Sequence, residues 1–140
     1  MVLEIVKNVE ILSQKSTSFD LKNDEDIALL RDMLDTAEAH KDNCVGLAAI
    51  QVGVAKRAIL VRQGDSFVPL INPVIIKKFG NCYTATEGCL SLDGEREVKR
   101  YPSVKLMWTN LSGKRLTQTF YGFTAEIIQH EVDHCNGILI

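Results

Sequence analysis

Near the end of the chain stands Gln129-His130-Glu131-Val132-Asp133-His134, and the interpretation of the fold depends on this hexapeptide. Histidines four positions apart lie one above the other on a helix face, at the spacing needed to bind one metal ion. Glu131, next to the first histidine, can reach an open position on that ion without being a ligand. The alternative is a pair of surface histidines whose charge suits a helix C-terminus. Because the chain has only three histidines and two occur at this spacing, we predict a metal site.

Two helices are predicted, and the hexapeptide lies in the second. This helix runs from Thr124 to about Asn136, after Gly122 breaks the preceding strand, and Gly137 ends it. The first helix runs from about Asn23 to His40. Asn23 or Asp24 can cap it, acidic residues fill its first turn, and apolar residues recur at helical spacing along one face.

Between the helices the sequence predicts antiparallel strands joined by short turns. Val104, Leu106 and Trp108 alternate with polar residues, so the strand that holds them has one buried face. The other predicted strands are Ala58 to Val61, Phe67 to Ile71, Pro73 to Ile76, Asn81 to Thr86 and Arg115 to Tyr121. We therefore predict an α+β fold in which antiparallel strands wrap around a C-terminal HExxH helix, with an N-terminal helix beside them.

Length and composition exclude several classes of protein. The chain has 140 residues, 46% of them hydrophobic, which predicts a single globular domain over residues 1–140. Its 16 basic and 18 acidic residues give a net charge of −2, which argues against sequence-independent nucleic-acid binding. No apolar run approaches the ~20 residues of a membrane span, and the N-terminus does not resemble a signal peptide. We expect a cytoplasmic protein without membrane or nucleic-acid contacts.

A catalytic zinc-like site needs a third protein ligand, and the sequence leaves its identity open. Few residues follow His134, and Cys135 is expected to face away from the metal, so the ligand must come from upstream. With no signal peptide, free thiols are favoured over disulfides. The candidates are Cys44, Cys82, Cys89, Glu87 and His40. Cys89 is modestly favoured, because Gly88 before it lets the backbone approach another element closely.

Three short motifs together resemble those of the peptide deformylase family, in the family's order. They are Gly46-Leu47-Ala48-Ala49-Ile50-Gln51, Glu87-Gly88-Cys89-Leu90-Ser91 and the hexapeptide at 129–134. The resemblance implies that Cys89, His130 and His134 bind the metal and that Glu131 is the general acid/base. It also implies that the Gln51 side-chain amide and the Leu90 backbone N–H stabilise the oxyanion.

The implied reaction is the hydrolysis of an N-formyl-methionyl peptide to formate and a free N-terminus. A divalent metal lowers the pKa of bound water from 15.7 to about 7, and Glu131 accepts the proton of that water. The resemblance implies one Fe(II) per chain natively, with Zn, Ni or Co as substitutes. The expected partners are N-formyl-methionyl nascent peptides, with transient ribosome association compatible with that role. The alternatives are an amidohydrolase for another N-acyl group and a catalytically impaired metal-binding relative.

The resemblance also assigns a pocket for the methionine side chain, lined by Val45, Gly46, Phe123 and Ile127. Taken singly, each apolar residue among these could equally belong to the core. Glu87 and Arg100 are candidates for a buried ion pair, although Arg100 could instead belong to a solvated charge run.

The sequence also departs from the family pattern. Cys44 stands where the family usually has glycine, and its side chain is expected to narrow the peptide groove. Asp93 replaces the usual proline, and the chain stops at Ile140, where many relatives continue. None of these departures touches the metal ligands or Glu131, so they bear on efficiency more than on reaction type.

Overall fold

The computed structural model describes residues 1–140, which form three α-helices and seven β-strands. The helices are α1 (Val9–Leu12), α2 (Asp24–Ala39) and α3 (Gly122–Cys135). The strands are β1 (Gly46–Ala48), β2 (Ala58–Gln63), β3 (Ser66–Phe79), β4 (Tyr83–Glu87), β5 (Arg96–Arg100), β6 (Ser103–Thr109) and β7 (Arg115–Tyr121). Short 3₁₀ turns, Lys41–Asn43 and Ala49–Val52, lie before and after β1. None of the helices is both long and apolar enough to cross a lipid bilayer.

All strand pairs are antiparallel and form two sheets. The larger sheet has the order β1-β2-β3-β6-β7, and the smaller one pairs β4 with β5. Helix α3 packs against β1 and β2 of the larger sheet, and α2 also packs against them. The predicted fold class is therefore confirmed: the protein is α+β, and the helix that carries the two histidines is enclosed by antiparallel strands.

Strand β2 is buried on both faces and lies between two hydrophobic cores. Ile59 and Val61 belong to the core that includes α3, whereas Ala58 and Leu60 belong to the core that includes α2. Successive side chains of a strand point to opposite faces, so a strand covered on both sides needs an unbroken apolar run. This burial accounts for the run of four apolar residues. It also fixes the position of β1, which pairs with β2 and forms the first half of the first motif.

Several sequence predictions match the observed elements closely. Asn23 caps α2, because its side-chain oxygen accepts a hydrogen bond from the Asp26 N–H at 3.1 Å. The alternation in β6 is also as predicted, with Val104, Leu106 and Trp108 buried. Gly137, in a left-handed conformation (φ 76°), ends α3. Its N–H and that of Ile138 bond back to His134 and Asp133 carbonyls at 3.1 and 3.0 Å, as in a Schellman motif.

Other element boundaries were wrong. Phe67 to Ile71 and Pro73 to Ile76 form one strand, because Asn72 adopts a positive φ of 48° that shifts the register without ending β3. The Asn72 amide holds this bulge by bonding the backbone N–H and C=O of Phe19 at 2.8 and 2.9 Å.

The other boundary differences lie nearer the candidate site. Helix α3 begins at Gly122 rather than Thr124, because Gly122 itself makes the turn from β7 with a φ of 60°. Strand β5 had not been predicted, since its charged residues suggested a solvated segment.

Candidate metal centre and catalytic cavity

Three side chains from separate parts of the sequence converge at the centre of the molecule. His130 and His134 project from the same face of α3, and Cys89 lies in the loop that follows β4. The possible ligand atoms of these residues all lie within 4.8 Å of one another, and the two Nε2 atoms are 3.1 Å apart. Both imidazoles are buried. The arrangement brings together one thiol and two imidazoles, a donor set suited to a divalent transition metal.

Glu87 orients the first of these histidines. Its Oε1 accepts a hydrogen bond from His130 Nδ1 at 2.7 Å, which leaves His130 Nε2 facing His134. A carboxylate behind a metal-binding imidazole fixes the ring and raises its basicity. Glu87 also receives two hydrogen bonds from Arg100 at 2.8 and 3.0 Å, so the predicted ion pair is confirmed and is buried. Although burial opposes its charge, His130 and Arg100 lower the pKa of Glu87 to about 2.

The local environment distinguishes Cys89 from the other buried cysteines. Burial raises the pKa of Cys44 to about 11 and that of Cys135 to about 12. Burial acts in the same direction on Cys89, yet hydrogen bonding with His130 and with backbone N–H groups of Leu92 and Ser91 lowers its pKa. Because the thiolate is the form that binds metals, Cys89 is the cysteine whose environment favours a ligand.

The two histidines share one positive charge in the metal-free protein. Burial opposes charge on His130, but Cys89 and Glu87 raise its pKa to about 10. Burial, followed by the His130 charge, lowers the pKa of His134 to about 3. The protonated His130 therefore directs its Nε2–H towards the Nε2 lone pair of His134, 3.1 Å away. A divalent cation fits the same position, since it would satisfy both lone pairs and the thiolate at once.

Glu131 lies against this centre in a space that Gly46 leaves open. The carboxylate is buried, and its Oε1 has no hydrogen-bond partner. Burial raises its pKa to about 7, which is the range in which a carboxyl group can both accept and donate a proton at neutral pH. A Cβ atom on Gly46 would lie 2.6 Å from Glu131 Oε2. The first motif therefore makes room for the Glu131 carboxylate by having no side chain at position 46.

The two predicted oxyanion donors lie in different surroundings. Leu90 lines the cavity described below, and its backbone N–H forms no hydrogen bond within the chain. Gln51 is buried. Its Oε1 accepts from the Ala48 N–H at 2.9 Å and its Nε2 donates to Ser91 Oγ at 3.2 Å. Gln51 thus connects the first motif to the second, but it is not among the residues lining the cavity.

A cavity of about 230 Å³ adjoins the centre. All four predicted pocket residues line it, with Val45 (42% exposed) and Phe123 (61% exposed) at its rim and Ile127 buried within. The lining residues are Asn43, Cys44, Val45, Gly46, Thr86, Glu87, Gly88, Cys89, Leu90, Phe123, Glu126, Ile127, His130 and Glu131. The cavity is therefore walled by residues from all three motifs.

Of the remaining candidate ligands, Glu87 bonds His130 from behind and is not grouped with the possible metal-binding atoms, and the other three lie outside the cluster as well. Cys82 is exposed, and His40 packs at the end of α2 with its Nδ1 2.9 Å from the Thr36 carbonyl. Cys44 lines the cavity, but its thiol donates to the Gly46 carbonyl at 3.2 Å. Cys135 is buried in the core beneath α3. Of the five ligands considered from sequence, the structure groups only Cys89 with the two histidines.

Sequence reasoning missed three polar contacts that join α3 to the smaller sheet. Gln129 exchanges two hydrogen bonds of 2.9 Å with the backbone of Tyr101, and Tyr83 Oη donates to Glu126 Oε1 at 2.8 Å. Arg100 donates to Asp133 at 2.7 Å. The participants are ordinary polar residues whose pairing depends on tertiary contacts. Gln129 and Asp133 lie inside the third motif and Arg100 was a candidate for an ion pair, but none of these contacts could be assigned from the sequence.

Comparison with known proteins gives concordant matches. The family model described as polypeptide deformylase matches residues 2–140. A peptide deformylase of Clostridium beijerinckii is 44% identical over 140 residues and covers the whole of both chains. The actinonin-bound class I type b peptide deformylase of Acinetobacter baumannii superposes with a TM-score of 0.88 at 35% identity, covering 99% of this chain and 95% of that one. The Met-Ala-Ser-bound form of the same protein gives 0.87 at 34% identity, covering 99% and 96%.

Proposed function

Because this chain belongs to the polypeptide deformylase family, we propose that it removes the formyl group from the N-terminal methionine of newly made polypeptides and releases formate. The resemblance carried by the three motifs is confirmed, as is the expectation of a metal-dependent hydrolase. The observation that carries the proposal is the convergence of Cys89, His130 and His134 beside the buried carboxylate of Glu131. This arrangement combines a ligand set with an adjacent acid/base, which amide hydrolysis requires.

In this proposal Cys89, His130 and His134 hold the metal and Glu131 moves the protons. A divalent ion held there would lower the pKa of a bound water to about 7 and polarise the formyl oxygen. Glu131 accepts a proton from the attacking water as the oxygen adds to the formyl carbon. It then returns that proton to the departing methionine nitrogen, so that a neutral amine and formic acid form, and the acid releases its remaining proton to solvent as formate. Burial, which raises the pKa of this carboxyl to about 7 in the metal-free site, favours uptake of the proton.

We assign the stabilisation of the negative oxygen to the Leu90 N–H and the Gln51 amide. Leu90 is supported by its place in the cavity wall and its unused N–H. Gln51 is supported by its link to Ser91, the residue that follows Leu90, and by the second hydrogen of its Nε2, which Ser91 does not take. Removing one oxyanion donor typically costs about 2.7–4 kcal/mol of barrier.

The methionine side chain is assigned to the cavity lined by Val45, Gly46, Phe123 and Ile127. An unbranched thioether suits an apolar wall of irregular shape. The peptide of the Acinetobacter structure, Met-Ala-Ser, has the form of a deformylated product, which supports the same class of substrate here.

The finer assignments follow from the same chemistry. We propose that residues 1–140 form one catalytic domain, that Fe(II) is the native ion, and that Zn, Ni or Co can replace it. We also propose a cytoplasmic enzyme that meets formylated nascent chains, with transient association at the ribosome.

The test is formate release from formyl-Met-Ala by the metal-loaded protein, with acetyl-Met-Ala as the matched control. We expect release of formate and little or no release of acetate, because the cavity must accept the acyl group beside Gly46 and Glu131. Equal hydrolysis of both peptides would indicate an amidohydrolase of broader acyl specificity. Absence of both products from protein with a full metal content would contradict the proposed reaction.

A further inference from the structure

Strands β3, β6 and β7 carry basic side chains and no acidic ones. They contain no aspartate or glutamate, whereas they contain Lys77, Lys78, Lys105 and Arg115. Helix α2, by contrast, has six acidic residues and a single arginine. The net charge of −2 is therefore the sum of oppositely charged regions. The expectation drawn from that sum, that the chain has no nucleic-acid contacts, does not take this separation of charge into account.

The strand register places two lysines directly opposite each other on the outer face of these strands. Lys77 pairs with Lys105, and both side chains are exposed. Lys105 points away from the core, since its neighbours Val104 and Leu106 are buried. Like charges at opposite positions of an antiparallel pair are destabilising, and neither lysine forms a salt bridge within the chain. A bound partner that brings negative charge would relieve this repulsion.

A second basic group lies at the other end of β6. Thr109 is four residues after Lys105 on the same face, about 13 Å along the strand. It accepts a hydrogen bond from the Arg115 guanidinium at 3.0 Å, and the exposed Lys114 comes directly before Arg115. Asp20 follows the residue that bonds the bulge at position 72, but it forms no salt bridge with either basic residue. The face therefore presents two separate groups of unpaired cations.

An exposed aromatic ring lies beside the lysine pair. Tyr121 is opposite Ser103, two residues before Lys105, so the three side chains share one face. Tyr121 is 70% exposed. At the same end of the sheet, Lys77 Nζ lies 5.0 Å from the centre of the Phe79 ring. Cations that contact phosphates, together with an aromatic ring on which a base can stack, are typical of surfaces that bind single-stranded nucleic acids.

We propose that a basic sheet face, formed by Lys77, Lys105, Lys114, Arg115 and Tyr121, binds single-stranded RNA. The two groups of cations would contact phosphates of successive nucleotides along one strand, and a base would stack on Tyr121. An anionic lipid surface offers the same charge but has no base to stack, so RNA is the partner that the face fits better. None of the five residues lines the catalytic cavity, and the inference does not depend on the proposed reaction.

The experiment measures the binding of a fluorescently labelled oligouridine of about 20 nucleotides by anisotropy, at salt concentrations from about 50 to 200 mM. The double variant Lys77→Gln/Lys105→Gln should bind about tenfold more weakly at the lowest salt. Its slope of log affinity against log salt should be shallower by about 1.4, since each phosphate neutralised on a single strand contributes about 0.7. Tyr121→Leu should weaken binding at least about fivefold and leave the slope unchanged, because stacking releases no counterions.

The matched control is Lys7→Gln/Lys15→Gln, which makes the same change in net charge at two exposed lysines that flank α1. This control should keep the wild-type affinity. An equal loss of binding in it would overturn the inference, because binding would then reflect net charge alone. Wild type that does not bind oligouridine at the lowest salt, or a Lys77→Gln/Lys105→Gln variant that binds as tightly as wild type, would also overturn it.

Vesicles of phosphatidylserine and phosphatidylcholine separate RNA from a lipid surface. Binding to these vesicles that needs Lys77 and Lys105, without binding to oligouridine, would show that the partner is a membrane and that the inference is wrong. Thermal unfolding of each variant confirms that it is folded. If the double variant does not fold, Lys77→Gln and Lys105→Gln are compared singly with Lys7→Gln, and each is expected to reduce the salt slope by about 0.7.

Discussion

Gly46 lies so close to Glu131 that the Glu131 carboxylate can take its position only because residue 46 has no side chain. A Cβ atom at Gly46 would lie 2.6 Å from Glu131 Oε2 and 2.8 Å from Ile127 Cγ2. Both atoms belong to α3, and Ile127 and Glu131 are buried side chains that cannot easily move aside. Packing inside proteins leaves no room for an added methyl group at such distances. The backbone of the first motif at Gly46 thus lies directly against the Glu131 carboxylate of α3.

This relationship predicts that Gly46→Ala displaces the Glu131 carboxylate and lowers kcat for formate release by about 10²-fold or more, as expected when general acid–base catalysis is lost. The metal content should stay near that of the wild type, because the three atoms nearest the new methyl group belong to Glu131 and Ile127 and not to a proposed ligand. Gly88→Ala is the matched control, since its Cβ would meet nothing closer than 3.4 Å. A larger loss of kcat in Gly88→Ala than in Gly46→Ala would contradict this account.

Glu131→Gln is predicted to separate metal binding from chemistry. Glutamine keeps the shape of the side chain and all three proposed ligands, but it cannot accept the proton of the attacking water. Metal analysis should therefore give the wild-type content, while formate release falls by about 10²–10⁴-fold. Activity within a few-fold of the wild type would mean that another base exists.

The proposed ligand set predicts that substitution of Cys89 affects metal binding differently from substitution of Cys44 or Cys82. Cys89→Ala should abolish tight metal binding, whereas Cys44→Ala and Cys82→Ala should leave it near stoichiometric. The Cys44 thiol bonds the Gly46 carbonyl, and Cys82 is exposed. Elemental analysis of the three purified proteins measures the outcome, and full metal content in Cys89→Ala would refute the assignment.

Glu87→Gln is predicted to destabilise the metal-free protein in a pH-dependent manner. Breaking a buried ion pair typically costs about 3–5 kcal/mol. The pKa of Glu87 falls from an ordinary 4.5 to about 2 on folding, so its contribution is present above pH 4.5 and is lost as the pH falls towards 2. The difference in unfolding free energy between wild type and variant should therefore shrink from pH 6 to pH 3. Denaturant titrations would test this, with the exposed Glu97→Gln as control, and a difference independent of pH would contradict it.

Features that depend on local spacing could be predicted from the sequence, whereas long-range contacts could not. The spacing of His130 and His134 fixes their common helix face without reference to any other element, so the metal site was predictable from the hexapeptide. The third ligand could not be predicted from helix spacing. Cys89 lies in the loop after β4, and its approach to α3 depends on the pairing of β4 with β5. Residue types and spacing left five candidates, and resemblance to a family selected one of them.

The features that were missed share a physical cause. Four of the five residues of strand β5 are charged, but the strand is stabilised by pairing with β4 and by Arg100, which turns inwards to Glu87 and Asp133. The pattern of hydrophobic residues along the sequence cannot distinguish an arginine that points into the protein from one that is exposed to solvent. The bulge at Asn72 was missed for a similar reason, since its strained backbone is held by contacts with the distant Phe19.

The last prediction concerns which metal supports activity. A set of one thiolate and two imidazoles accepts iron(II), zinc, nickel or cobalt, so availability decides which ion is loaded. A thiolate donates more charge than the carboxylate of a His/His/Glu site, and it should therefore weaken zinc as a Lewis acid. We expect aerobically purified protein to contain mostly zinc and to be weakly active, and anaerobic loading with iron(II), or loading with nickel or cobalt, to raise kcat/KM at least several-fold. Since iron(II) beside a thiolate is open to oxidation, peroxide should inactivate the iron form much faster than the nickel form. Turnover and peroxide resistance are to be measured on forms whose metal content has been verified. Equal values of both quantities for the zinc and iron forms would refute this role of the thiolate.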